Sequence, residues 1–158
     1  MMVYAVIVAA GKGIRMNCTI PKQYLELEGT PLLSITLKAF DECFLIDEII
    51  LVLPPGDIAF CVEKIINPAG MKKKVTPVAG GLRRQDSVYN GLTAVNEKKS
   101  TVVIHDGVRP FVTLSNIEEC VREAVLNGAC ILGMPASDTV KFADGSGYIE
   151  KTLERDSV

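Results

Sequence analysis

One histidine, His105, is all that the 158 residues contain. That scarcity argues against a His-rich metal centre and against a Ser-His-Asp triad built around a free imidazole. The five cysteines, Cys18, Cys43, Cys61, Cys120 and Cys130, are odd in number and hold no Cys-x-x-Cys pair. Neither a disulfide framework nor a zinc knuckle is expected, and the thiols read as small buried hydrophobes. The net charge is only −2, whereas a general nucleic-acid or polyanion binder carries a strong basic excess. No apolar run reaches the ~20 residues needed to span a bilayer. The longest, from Val3 to Ala10, leads straight into glycines and has no basic leader. It reads as a buried strand and not a secretory signal, so a cytoplasmic protein is expected, with neither membrane nor nucleic acid as partner.

Against these absences stands a strong core signal. Hydrophobic residues make up 48% of the chain and charged residues 23%. A single domain of this size buries roughly 70% of the surface its unfolded chain exposes. Strand and helix patterns alternate. Residues 3–9 are a continuous apolar run, as a central parallel strand covered on both faces requires. Thr30-Pro31 suggests a cap and first-turn proline for a helix over 32–43. Residues 48–53 read as a strand stopped by Pro54-Pro55-Gly56, and Asp57 as the cap of a helix through about residue 66. Strand 74–78, helix 83–95, strand 101–104, a helix over 117–126 capped by Ser115 and strand 129–134 follow. There is no internal repeat and no low-complexity linker. This is the pattern of an α/β domain with a mostly parallel sheet and helices on both faces. The tail differs: 139–142 and 148–153 read as strands joined by Asp144-Gly145-Ser146-Gly147, a hairpin.

In such sheets ligands bind beyond the carboxyl ends of the strands, so the loops there carry the chemistry. The first is Ala9-Ala10-Gly11-Lys12-Gly13-Ile14-Arg15-Met16. Its glycines let backbone N–H groups approach a phosphate. The dinucleotide pattern fails at Met16, and the Walker pattern fails because Gly13 follows Lys12. Lys12, Arg15 and Lys22 place three cations around one turn, which suits a triphosphate; a tight turn with solvated basic residues would look the same in isolation. The third strand ends in Gly80-Gly81, followed by Arg83, Arg84, Asp86 and Ser87. Glycines here let a base or ribose lie against the backbone, although an ordinary loop and helix cap is an equal reading. The fourth strand ends in His105-Asp106-Gly107-Val108-Arg109-Pro110. Asp106 is placed to hold Mg²⁺ between phosphates, though alone such an aspartate is more often a cap or salt-bridge partner. His105 reads as a structural hydrogen-bonder before a base. Arg109 reads as a brace on a neighbouring carboxylate.

Taken together, Ala9-Ala10-Gly11-x-Gly13-x-Arg15-Met16, Pro21-Lys22-Gln23, Gly80-Gly81-x-x-Arg84-x-Asp86-Ser87-Val88 and His105-Asp106-x-x-Arg109-Pro110 resemble the 2-C-methyl-D-erythritol 4-phosphate cytidylyltransferase family. The likeness runs in order through the whole chain, including Asp138-Thr139-Val140-Lys141 and the end near Arg155. It implies a Rossmann-like nucleotidyltransferase fold over residues 1–158, with a protruding β-arm over 138–155 that dimerises and reaches the partner's active site. It implies catalytic roles for Arg15 and Lys22, CTP binding by Ala9, Ala10, Gly11, Lys12, Gly13, Gly81, Arg84 and Ser87, a metal ligand in Asp106, and acceptor contacts from Thr139 and Arg155. The substrates implied are CTP and a polyol phosphate, with Mg²⁺ as cofactor.

Two departures from the family pattern stand out. Members usually continue for several tens of residues, including a further lysine for the acceptor phosphate, so the chain is expected to be truncated at its C-terminus. Gly107 stands where many carry alanine or serine. A sister family that uses ribitol 5-phosphate shares nearly all these motifs, and a nucleotide-binding but inactive fragment is a second alternative. A nicotinamide oxidoreductase is disfavoured by Met16 and by Leu53-Pro54, where an acidic residue would end the second strand.

Overall fold

The computed structural model describes residues 1–11 and 20–157. Four parallel strands form its centre in the order β5-β4-β1-β6, with β1 at Met2–Val8, β4 at Glu48–Leu53, β5 at Lys74–Ala79 and β6 at Ser100–Asp106. β1 is buried on both faces because its side chains alternate between two apolar clusters. Val3, Ala5 and Ile7 meet Leu33, Leu37 and Phe40 of α1 (Leu32–Glu42) and Ile117 and Val121 of α5 (Leu114–Asn127). Tyr4 and Val6 join Ile50 and Val52 on the opposite face, which α4 (Arg84–Thr93) covers. The continuous apolar run is thus explained by helices on both sides of the sheet.

α4 approaches the sheet closely because Gly91 has no side chain. A Cβ there would lie 2.5 Å from Val6 Cγ1 and 3.0 Å from Val52 Cγ2. Between β4 and β5 the chain is helical over residues 58–69, as α2 (Ile58–Cys61), a π-helical turn (Val62–Ile66) and α3 (Asn67–Ala69). Short strands β2 (Glu26–Leu27) and β3 (Thr30–Pro31) pair antiparallel ahead of α1. Buried Asp41 of α1 accepts the backbone N–H groups of Lys72 and Lys73 at 2.8–3.1 Å, which fixes the entry to β5.

Several expected details differ. Thr30 does not cap α1: it lies in β3, and Pro31 occupies the cap position with no side-chain bond. Asp57 stands at the start of α2 but accepts the Tyr24 hydroxyl instead of a helix N–H. Thr113, not Ser115, caps α5, its hydroxyl accepting from the Asn116 N–H at 3.2 Å. Residues 129–134 form no strand, and Ile131 and Met134 stay about nine-tenths exposed. An apolar run needs a neighbouring edge to satisfy its amides before it becomes a strand, and no ladder forms to it among the described residues. Cys43 and Cys61 are buried as expected, but Cys120 is only partly so and Cys130 is exposed, while Cys18 lies outside the described residues. The hairpin forms as β7 (Lys141–Ala143) and β8 (Ile149–Thr152), shorter than the pattern suggested and exposed throughout. Asp144 organises its turn, accepting the N–H groups of Ser146 and Tyr148 at 2.9 Å each. No helix among the described residues is long and apolar enough to cross a membrane.

Gly91→Ala sets two effects against each other. Alanine gains about 1 kcal/mol of helix propensity, while overpacking a tight core typically costs ~1–3 kcal/mol. With Val6 at 2.5 Å the clash should win, so urea unfolding should show a destabilised variant. A stabilised one would mean that α4 lifts from the sheet without cost.

Candidate functional site

The strands end in step. Val8 lies opposite Val52 on one side and Asp106 on the other, and Leu53 lies opposite Ala79. Backbone bonds carry this register one residue further: Ala9 N–H to Val52 O at 2.8 Å, Gly80 N–H to Leu53 O at 2.7 Å and Gly107 N–H to Val8 O at 2.8 Å. Three loops therefore leave the sheet from one line. They lie so close that side chains are excluded. A Cβ on Gly80 would overlap Ala10 Cβ and come within 3.0 Å of Ser87 Oγ, and one on Gly81 would overlap Asp86. A Cβ on Gly107 would come 2.8 Å from Ala9 Cβ and 3.1 Å from Leu33 Cδ1.

Ser87, in the first turn of α4 and buried, holds the glycine loop. Its Oγ accepts the Gly81 N–H at 3.1 Å and donates to Arg83 O at 3.2 Å. Asp86 closes the start of α4 from outside, accepting the Arg83 N–H at 3.1 Å and the Arg83 guanidinium at 2.9 Å and 3.1 Å. The hydrogen bond from Arg83 is the main cause that holds the Asp86 carboxyl below its ordinary range.

Asp106, at the end of β6, is clasped by two arginines. Arg84 donates to Oδ1 at 2.8 Å, and Arg109 meets Oδ2 at 3.1 Å. Arg109 thus braces a neighbouring carboxylate, that of Asp106 itself, and Arg84 adds a second contact to it. Nothing in Arg-Arg-x-Asp-Ser says which arginine turns to the local aspartate and which reaches across to β6. His105 does not hydrogen-bond through Nδ1, which is buried without a partner; the ring packs on Phe40 at 5.0 Å. Burial lowers the His105 pKa, so its ring is held neutral below the usual histidine range.

Of the residues singled out, Ala9, Ala10, Gly81, Arg84, Ser87 and Asp106 come together at this edge, and Gly11 opens from it. Lys22 is exposed on a 3₁₀ turn, Lys22–Tyr24. Lys12, Gly13 and Arg15 lie outside the described residues. Thr139 and Arg155 sit with the exposed hairpin, where the Arg155 guanidinium donates to Ser137 O at 3.3 Å; no hydrogen bond or ion pair joins either to the sheet edge among the described residues. The site's ionisable groups could hold a metal only sparsely: no cluster of three or more His, Cys, Asp or Glu exists among the described residues. A lone carboxylate suits an ion that keeps waters and takes its other ligands from phosphates, as Mg²⁺ does.

A parallel sheet with helices on both faces, small-residue loops at its carboxyl edge and cations around one carboxylate defines a nucleotidyltransferase-type α/β fold. The comparisons narrow this to one family. The model of the 2-C-methyl-D-erythritol 4-phosphate cytidylyltransferase family matches residues 3–158, and the chain belongs to that family. It is 45% identical over 153 residues to the enzyme of that name from Alkaliphilus oremlandii and 46% identical over 153 residues to that from Syntrophus aciditrophicus. Each match covers 97% of this chain and 65% of the relative, so the chain spans about two thirds of their length. The crystal structure of 4-diphosphocytidyl-2C-methyl-D-erythritol synthase from Anaerococcus prevotii superposes with a TM-score of 0.86 at 31% identity, covering 99% of this chain and 66% of that one.

The Arg83–Asp86 clasp has a pH signature. A carboxyl with a depressed pKa stabilises the fold above its unfolded value, near 3.9, and that contribution is lost as pH falls through the folded value. The carboxyl titration of Asp86 followed by NMR should have its midpoint below 3.9, and Arg83→Met should raise it toward that figure. An ordinary midpoint in the parent chain would show that the clasp does not form in solution.

Proposed function

We propose that the protein to which this chain belongs transfers CMP from CTP to 2-C-methyl-D-erythritol 4-phosphate, giving 4-diphosphocytidyl-2-C-methyl-D-erythritol and pyrophosphate. The observation that carries the reading is Asp106, held between Arg84 and Arg109 at the line where the small-residue loops converge. A compact anionic centre ringed by cations beside open backbone suits a metal-bound triphosphate.

The acceptor phosphate is mostly dianionic at neutral pH, since its second pKa is about 6, and needs no general base. One of its oxygens attacks the α-phosphorus of CTP in line. The bond from that phosphorus to the bridging oxygen breaks, and pyrophosphate leaves with the electron pair. The protein's task is to bring two anions together and to neutralise the charge that builds between them. Ala9 to Gly13 and Gly81 supply the backbone against which CTP would lie, with the Ala9 N–H already held by Val52 O and the Gly81 N–H by Ser87 Oγ, which fixes that loop. In this reading Lys12, Arg15 and Lys22 would neutralise the phosphates, with Arg15 and Lys22 stabilising the pentacoordinate phosphorus. Asp106 would hold Mg²⁺, which when bound neutralises part of the triphosphate's charge. Arg84 is then free to leave Oδ1 for the nucleotide, while Arg109 keeps Oδ2 in place.

Residues 1–158 belong to a single cytidylyltransferase domain with the arm at 138–155, and the protein works in the cytoplasm. The arm exposes both strands, including Phe142, Tyr148 and Ile149, and a two-stranded hairpin alone is marginal in water. Exchange of arms across a two-fold axis would bury it and bring Thr139 and Arg155 to the partner's acceptor phosphate. Sedimentation of a chain cut before Asp138 should show monomer where the uncut chain sediments as a dimer. A cut chain that stays dimeric would place the interface elsewhere.

Pyrophosphate release from CTP, measured across a panel of polyol phosphates, tests the reaction, and the methylerythritol phosphate should give the highest kcat/KM. Lys22→Ala should lower kcat by ~10²–10³ with CTP affinity nearly unchanged. Asp106→Asn should abolish the Mg²⁺ dependence of CTP binding and leave the fold intact. Metal dependence equal to that of the parent would make Asp106 a structural residue.

A further inference from the structure

The turn that carries Lys22 is mounted from behind, at points the proposed reaction does not use. Gln23 is buried. The Leu32 N–H donates to Leu25 O at 2.9 Å, tying the end of the turn to the start of α1. Between them the Tyr24 hydroxyl donates to Asp57 Oδ2 at 2.9 Å, and the thiol of fully buried Cys61 donates to the Tyr24 oxygen at 3.4 Å. The ring stands edge-on to Phe60, 5.2 Å between centroids. Tyr24 thus spans from the turn to the helix that follows β4, 33 residues along the chain. Burial foremost, and then the Cys61 and Asp57 contacts, push the phenol far above its ordinary pKa. It stays protonated and keeps donating at any working pH. A solvent-exposed lysine has about four free rotations, so its accuracy depends on how firmly its backbone is held.

We propose that Tyr24 and Asp57 are positioning residues for Lys22: the Tyr24–Asp57 hydrogen bond, backed by Cys61, holds the 22–24 turn where the Lys22 ammonium meets the reacting phosphorus. The proposal rests on the role assigned to Lys22 above. It concerns where the cation is held, and it leaves nucleotide binding to the loops at the sheet edge. Small displacements of a charge-stabilising group affect the transition state far more than the bound nucleotide. The carboxylate is needed as an acceptor and not for its charge, so an amide oxygen should serve in its place.

The test is a double-mutant cycle on the full-length protein, with thermal unfolding confirming that each variant is folded at the assay temperature. Tyr24→Phe should lower kcat about tenfold with the CTP dissociation constant within twofold of the parent. Asp57→Ala should do the same, and Asp57→Asn should keep more than half the parent kcat. In a Lys22→Ala background, Tyr24→Phe should cost less than about twofold, because the group it positions is gone. A full tenfold loss in that background would overturn the proposal by showing that Tyr24 acts independently of Lys22. So would an Asp57→Asn enzyme as slow as Asp57→Ala. A Lys22→Ala enzyme that turns over at the parent rate would remove the role of Lys22 itself, and that outcome is read from the single variant alone.

Discussion

Three hydrogen bonds, from Ala9 to Val52, Gly80 to Leu53 and Gly107 to Val8, extend the parallel ladder one residue past the strands. Everything at the candidate site depends on them. They hold the three loops in one line along the carboxyl edge, where the first loop lies against Gly80 over the end of β4 and against Gly107 beside it, which leaves no room for side chains pointing across. Ala9, Ala10, Gly80 and Gly107 are small for that reason, since a Cβ on either glycine would meet an alanine of the first loop.

Charge is then arranged around that edge from separate elements. Arg83 and Asp86 neutralise each other at the start of α4, which leaves Arg84, the next residue, to reach Asp106 across the sheet. Asp106 shares its two oxygens between arginines from α4 and from its own loop. Both guanidiniums are mostly exposed, and exposed pairs contribute at most ~1 kcal/mol each, so the clasp orders the carboxylate without locking it. A triphosphate with its metal could replace Arg84 as partner at small cost.

The two faces of the sheet are not treated alike. One is covered by α1, α5 and the helical residues 58–69, and the other by α4 through the close contact at Gly91. Lys22 rides on the first face, where Tyr24 links its turn to Asp57 and Cys61. The sheet edge and the turn that carries Lys22 are therefore anchored separately, which is what the kcat effect without a binding effect proposed for Lys22 requires.

Local sequence sufficed for the four parallel strands and the helices between them, the two-sided burial of β1, the glycine loops at the strand ends and the family. Each of these follows from patterns within a few residues: apolar runs of strand length, glycine after a strand, and short motifs in order. It failed where partners lie far apart in the chain. Asp57 looked like a helix cap because aspartate before an apolar run often is one, yet Tyr24, brought to it by folding, takes its carboxylate. Residues 129–134 have strand composition, but a strand exists only where a neighbour pairs with it. Arg84 and Asp106, 22 residues apart, meet only because β6 lies beside β1 with α4 packed across the sheet. Periodicity reports which side of an element is apolar; which charge pairs with which is set by distance and orientation, and only the tertiary structure decides those.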